Sequence, residues 1–464
     1  MNFSYKENNQ SSETRDPIYF KCQQYQTDHN SETVNVAKID VNGKRKYQNR
    51  IRVSNFLLRI KLFIFEAFFP EGYPDSVSDD YLAYQTWDTV QAFASSISGS
   101  LATKAVLEGV GVGDENATSL AATITWLLRQ GAGMVGQILF TWIQGSDLDH
   151  NCKRWRLFAD ILNDSAMCLE LSVPLWPPFI SQLILCSASV ARSLVGVAGG
   201  ATRTAITQHQ AKGGNISDVA AKDGSQETLV NLVALLINII VLPIVSESMA
   251  FTWSVFICLT ILHLFANFKA VSSLCFQTLN KDRLIFVLKS YQESRGTKIE
   301  APKLINKKEN VFVGCGLRED DLLRGIASQT CSLKINLGVS FEEILSKQNG
   351  NMQLEPTLMS KIRDEMLQNR FSIIPSVNSR QHEYNILLGN TYTEMDLLHA
   401  YYKSYCMAIH QDIKNDQSCD KYSDDFEKFS RLLLSAGWKI NMQLSTKGYT
   451  GHIVESQIYL YSDE

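Results

Sequence analysis

The sequence predicts a mainly α protein: a polytopic α-helical membrane bundle of about six spans, followed by a small soluble α+β domain. Three observations carry this. From Trp87 to Phe268 long apolar stretches alternate with short polar loops. Two adjacent stretches, Leu229 to Val245 and Met249 to Phe268, contain no charged residue and approach the length that crosses about 30 Å of hydrocarbon. Beyond Lys269 the chain turns polar and alternates helical with strand-like patterns. The averages conceal this segregation. The 464 residues are 45% hydrophobic and 20% charged, and 44 Lys and Arg against 48 Asp and Glu give a net charge of -4. No global basic field recruits nucleic acid, so no nucleic-acid partner is expected.

In chain order, residues 1–50 read as a disordered polar tail, because apolar residues are too sparse there to offset the entropy of ordering. No apolar h-region follows a basic start, so no cleaved signal is expected and insertion falls to internal segments. Residues 51–86 read as an interfacial, amphipathic segment: Arg50, Arg52, Arg59 and Lys61 are interleaved with Phe56, Leu57, Ile60, Phe63 and Phe65. A strand or helix packed on the protein's own core has the same pattern.

Residues 87–270 form the membrane domain. Weaker spans (Trp87 to Glu108, Thr118 to Ile143, Leu157 to Trp176, Phe179 to Gly200) precede the two uncharged ones. Lys153, Arg154, Arg156, Arg203, Lys212, Lys222 and Lys269 fall at one set of span ends. The opposite loops, around residues 109–117, 173–178 and 246–248, hold no Lys or Arg. By the positive-inside rule this places a multi-pass membrane protein with both termini in the cytosol or its equivalent. Small residues four apart (Ser95 with Gly99, Ala132 with Gly136, Gly196 with Gly200) predict close helix packing. The recurrence of Ala102-Thr103-Lys104 as Ala201-Thr202-Arg203 raises a duplicated plan, the arrangement of many transporters. Residues 281–464 read as the α+β domain, with helices over Lys281 to Glu293, Thr357 to Gln368, Thr393 to Ile409 and Asp424 to Ala436. Its strands are expected over Phe371 to Ile374, Tyr384 to Leu388 and Lys439 to Leu444.

Ionisable residues are expensive against lipid, so those in the spans are the site candidates: Lys104, Glu108, Asp160, Asp164, Arg192, Arg203 and Glu227, with Arg129 and Glu170 beside them. Lys104 and Glu108 are four apart and suit an ion pair. Asp160, Asn163, Asp164, Met167 and Glu170 recur at three and four and form one stripe, either lining a substrate or proton path opposite Arg192 or Lys104, or solvated at the surface. Lys222, Asp223 and Glu227 lie around Gly224 before the clearest span, where Asp223 or Ser225 would cap the helix, or its N-terminus would bind an anion with Lys222. His209 reads as an exposed loop histidine.

Ten cysteines occur without a CxxC pair or a Cys/His cluster at metal spacing, which reads as free thiols in a reducing compartment. GxSxG, Walker A and HExxH are absent, so no enzyme, cofactor or metal is expected.

Five segments together resemble the root UVB-sensitive family in order and spacing, its animal members included. They are FFPEGYPDSVSDDYLAYQTWDTVQAF (Phe68 to Phe93), ATKAVLEGVGVGD (Ala102 to Asp114), WRLFADILND (Trp155 to Asp164), VGVAGGATR (Val195 to Arg203) and AAKDGSQETLVNL (Ala220 to Leu232). The resemblance implies a membrane-associated protein. Plant members are linked to seedling development, UV-B responses and vitamin B6 homeostasis, and no catalytic residue set is implied. The expectation is thus an integral membrane protein that carries a small solute. The alternative is a membrane scaffold acting through a partner bound by the C-terminal domain, and a peripheral enzyme using the Lys222 to Glu227 loop is a third reading. The expected partners are the lipid bilayer, an unidentified small-molecule solute, and a paralogue or second copy.

Overall fold

The computed structural model describes residues 19–28, 31–40, 45–47, 63–109, 119–145, 148, 151–312, 332–339, 356–378, 381–389, 391–410 and 419–442. The chain is mostly helical and divides into two units, Met1–Ser76 with Ser217–Ser225, and Val77–Ile216 with Gln226–Glu464.

In the first unit β1 (Tyr19–Asp28), β2 (Ser31–Asp40) and β3 (Arg45–Tyr47) form an antiparallel sheet in that order. Cys22 pairs with Ala37 and Ile39 with Arg45. These strands lie in the segment read from composition as a tail; the β-branched Thr33, Val34, Val36 and Ile39 of β2 are the local signal for them. Residues 63–68 are helical, and Phe65 stacks on Phe69 at 5.1 Å. Of the interfacial segment, residues 51–62 lie outside the described residues.

The second unit holds α1 (Tyr81–Gly109), α2 (Ser119–Gln144), α3 (Cys152–Ser172), α4 (Pro178–Gln210), α5 (Ile216–Val245, whose first turns belong to the first unit) and α6 (Met249–Ser273). Three of these, α4, α5 and α6, are long and apolar enough to cross a membrane; a crossing by all six is not shown. The expected loops around Arg203 and Gly224 are instead helix. Helix α4 runs on to Gln210, and α5 starts at Ile216 because Gly214, at φ 72°, turns the chain there. Lys222, Asp223, Ser225 and Glu227 therefore lie inside α5, where none of them caps it.

Helix α1 runs parallel to α3, with Asp88 against Arg156 and Gln91 against Asp160, and antiparallel to α6, with Trp87 against Phe265 and Gln91 against His263. Glycine permits the approach of α2 to α4: a Cβ at Gly133 would stand 2.6 Å from Ser193 Oγ, and one at Gly136 2.8 Å from Val190 Cγ1. Gly196 and Gly200, also expected as a packing face, have nothing within 4 Å of where a Cβ would stand. Asp80 joins the ends of three helices just before α1. It accepts hydrogen bonds from Ser78 Oγ, from His209 Nε2 at 2.9 Å and from Cys275 N at 2.6 Å. Burial alone would raise its carboxyl, but His209 and these donors hold it below its ordinary value. His209 is thus a half-buried partner of Asp80 and not an exposed loop residue.

After α6 follow β4 (Thr278–Leu279), α7 (Lys281–Glu293), α8 (Pro302–Lys308), β5 (Ser332–Leu337), α9 (Pro356–Asn369), β6 (Phe371–Asn378), β7 (Gln381–Leu388), α10 (Glu394–His410), α11 (Cys419–Ser435) and β8 (Lys439–Met442). The sheet order is β5-β7-β6, with β5 and β7 parallel and β6 and β7 antiparallel, while β4 pairs with β8. One core joins Leu284 and Leu288 of α7, Ile335, Phe371 and Ile386 of the sheet, Leu398 and Tyr401 of α10, and Phe429 and Leu433 of α11. Trp438 closes it and donates its Nε1–H to Glu300 O at 3.0 Å.

Candidate functional site

The polar stripe of α3 is the spine of the site. Positions 160, 164 and 167 recur at helical spacing, and the structure turns this face inward: Asp160, Asp164, Met167 and Glu170 are all buried. A solvated surface stripe is thereby overturned. Asp160 Oδ2 accepts a hydrogen bond from Gln91 Nε2 at 2.8 Å. The same nitrogen lies 3.3 Å from His263 Nε2, and His263 Nδ1 lies 2.8 Å from Asp164 Oδ2. One turn before Asp160, Arg156 pairs with Asp88 at 3.1 Å. Asn163 Nδ2 donates to Ser95 Oγ at 3.4 Å.

At the far end of the stripe two guanidiniums converge on one carboxylate. Arg192 of α4 donates through Nε to Glu170 Oε1 at 3.0 Å and Oε2 at 3.1 Å, and Arg129 Nη2 of α2 donates to Oε1. Arg192 also donates through Nη1 to Asn163 Oδ1 at 3.3 Å. Such a charge cannot lie in a bundle unpaired, which is why Glu170, 2% exposed, collects both arginines. These three residues, with Trp126 and the hydroxyl side of α1 (Ser96, Ser100, Thr103), line an open cavity of about 320 Å³. The Arg129 guanidinium lies over the Trp126 ring at 5.2 Å. Asn238, in the apolar second half of α5, donates to Ser100 Oγ at 2.8 Å.

Of the sequence candidates, the structure gathers Asp160, Asp164 and Arg192 along this stripe. Lys104 and Glu108 form the expected ion pair at 2.8 Å, both partly exposed and neither lining the cavity. Arg203 pairs with Glu227 at 2.7 Å, again half-exposed. Lys222 donates to Glu66 O at 2.5 Å, and Asp223 is buried. His263 and Gln91 were not among the candidates. Gln91 has no sequence signal of its own, and that of His263 is faint, because His263 and Asn267, four apart, share α6 with Thr252, Ser254, Thr260 and Lys269.

The first turn of α3 carries a second charged group. Lys153, 1% exposed, reaches Glu309 Oε2 at 3.1 Å and Asn306 Oδ1 at 2.8 Å, and Arg283 Nε donates to the same Glu309 oxygen at 3.2 Å. Arg154 pairs with Asp282 and donates to Asn310 O at 2.9 Å. Burial would raise the Glu309 carboxyl, but Arg283, Lys153 and the Asn280 amide hold it down to about 2. At Asp282 burial prevails over Arg154 and keeps the carboxyl above its ordinary value. These contacts fasten the α+β domain to the helices. Among the described residues no group of His, Cys, Asp and Glu is placed to hold a metal ion.

A family described as the vitamin B6 photo-protection and homoeostasis domain matches residues 58–295. RUS family member 1 of Dictyostelium discoideum is 46% identical over 267 residues, covering 56% of this chain and 50% of that protein. Protein root UVB sensitive 3 of Arabidopsis thaliana is 40% identical over 250 residues, 54% of this chain and 56% of that one. Protein root UVB sensitive 5 of the same plant is 25% identical over 393 residues, 80% and 73% of the two chains. The chain thus spans about half the length of the first two relatives. No solved structure matches it.

Proposed function

We propose, from the premise that this chain belongs to the root UVB-sensitive family, that it is a multi-pass membrane protein that carries a small anionic solute. The observation that supports this most is the cavity in which Arg129 and Arg192 share the single carboxylate of Glu170. Two guanidiniums against one carboxylate leave one positive charge over, and planar guanidinium forks match carboxylate and phosphate oxygens. The cavity, about 320 Å³, lies at the lower end of the range for small-molecule sites. Trp126 offers an aromatic face beside the charges. The vitamin B6 of the family description, in its phosphorylated forms, is an aromatic anion of this kind.

Six crossings fit this reading. Helices α1, α2 and α3 pack against α4 and α6, so if the apolar helices cross, the others cross beside them. Helix α2 exposes Leu120, Leu127, Leu128, Met134, Ile138 and Trp142 along its length, a surface that suits lipid and is costly in water. Extraction of membranes at alkaline pH is expected to leave the chain in the pellet until detergent is added. Release into the supernatant would sink the membrane-spanning reading.

The solute is tested with the full chain reconstituted in vesicles preloaded with inorganic phosphate or pyridoxal phosphate. Exchange of the labelled anion above protein-free vesicles is expected. Exchange no faster than in empty vesicles overturns the carrier and favours a scaffold acting through the α+β domain.

A further inference from the structure

The Gln91, Asp160, Asp164 and His263 group is separate from the cavity and carries polar atoms that the fold leaves unanswered. Gln91 Oε1, Asp164 Oδ1 and both amide atoms of Asn267 are buried without a hydrogen-bond partner. Asn267 lies one turn from His263 on the same face of α6, at the level of Asp160 by the antiparallel run of α6 along α3. Unpartnered buried groups of this kind are rare in a folded chain, and each calls for a reason.

Charge shows what is missing. The groups facing His263 are Gln91 from α1 and Asp160 and Asp164 from α3, with Arg156 and its partner Asp88 one turn back; Glu170, Arg129 and Arg192 lie further along the stripe. Three carboxylates thus meet one guanidinium and one imidazole. With a neutral ring the group carries two uncompensated negative charges, in surroundings where each is expensive. The described acids and histidine do not form a metal cage, and their hydrogen-bond spacing suits protons.

We propose that Gln91, Asp160, Asp164 and His263 form a proton-loading site with the Gln91 amide as its moving part. In the observed arrangement Gln91 Nε2 donates to Asp160 Oδ2 and faces His263 Nε2 as an acceptor, so the ring proton is on Nδ1 toward Asp164. Half a turn of the amide brings Oε1 to the same place. It then accepts from a new N–H at His263 Nε2 and from a new O–H at Asp160 Oδ2. Two protons from water form these two bonds, nothing is oxidised or reduced, and the group becomes neutral. Each arrangement keeps the contacts of Gln91 with Asp160 and His263 and leaves its other amide atom unpartnered, so the two differ by two protons and make the site a switch that couples proton movement to the helices it joins. That the protons accompany a solute rests on the carrier reading; the loading itself does not.

The test uses full-length protein with isotope-labelled histidine in lipid nanodiscs, the His263 ring signal being assigned by its loss in His263→Gln. The ring is expected to titrate, and its midpoint to move by more than about one pH unit in Asp160→Asn and Asp164→Asn, since each removes a charge within contact distance. A ring that does not titrate overturns the proposal on the wild type alone, whether or not a variant folds. A midpoint shared by wild type and both variants overturns it as well. Titration as expected in protein that exchanges no anion would remove the carrier and leave the proton site.

Discussion

Glu309→Gln is expected to destabilise the chain by about 3–5 kcal/mol, because it leaves two buried cations facing one neutral amide. Lys153 and Arg283 are each 1% exposed and meet on one oxygen of Glu309. Their other contacts, with Asn306, Thr278 and the Phe276 ring, are neutral. Thermal unfolding in detergent should fall by more than about 5 °C, at a few degrees per kcal/mol. A change of less than about 1 °C would mean that the cluster is hydrated and adds nothing.

The pH dependence follows with a definite sign. The Glu309 carboxyl is held at about 2 in the folded chain against an ordinary 4.5. Its contribution is therefore complete above about pH 4.5 and is lost as pH falls toward 2. His399 acts earlier. Burial first, and then Lys403, push its ring down to about 4 from 6.5 while it stacks on Phe426 at 4.2 Å. Its contribution is lost as pH falls from 6.5 toward 4. Asp282 runs the other way: its raised carboxyl favours the protonated folded state, so its contribution declines as pH rises through its folded value. In Glu309→Gln the loss between 6.5 and 4 should persist and the loss below 4.5 should shrink. Unfolding midpoints of both proteins across that range decide it.

Much of this was readable from spacing, and the unreadable part has a common cause. Lys281–Glu293 is a helix over the very residues whose pattern predicts it, β6 starts at the expected Phe371 and α10 one residue after the expected Thr393, while β7 starts at Gln381, three residues before the expected Tyr384. The α3 stripe was legible because positions three and four apart share a face whatever they pack against. Its partners were not. Gln91 and Asp160 are 69 positions apart, His263 and Asp164 are 99, and Lys153 and Asn306 are 153. No local rule links such pairs. Where local rules misled, a stronger local signal stood nearby. Gly224 suggested a turn, but Gly214 and Asn215 had already made it, and a glycine within a long packed helix costs only about 1 kcal/mol.

Arg192→Ala and Glu170→Gln should move anion binding in opposite directions, and that opposition separates a binding role from a structural one. Arg192→Ala removes the fork that holds Glu170 and leaves Arg129 and Glu170 as a balanced pair, so the excess positive charge of the cavity disappears. Losing charge-assisted hydrogen bonds worth about 1.5–3 kcal/mol weakens half-saturation by about 10- to 100-fold. Glu170→Gln does the reverse. Both guanidiniums are released from their carboxylate and the cavity gains a second positive charge, so the same anion should bind more tightly while leaving more slowly. Saturation curves for phosphate and pyridoxal phosphate exchange would then show a lower half-saturation and a lower maximal rate for Glu170→Gln, but a higher half-saturation for Arg192→Ala. If Glu170 only staples α2 and α4 to α3, both variants lose folded protein and neither tightens binding. A Glu170→Gln protein that folds and exchanges with unchanged half-saturation would show that the solute never meets these arginines.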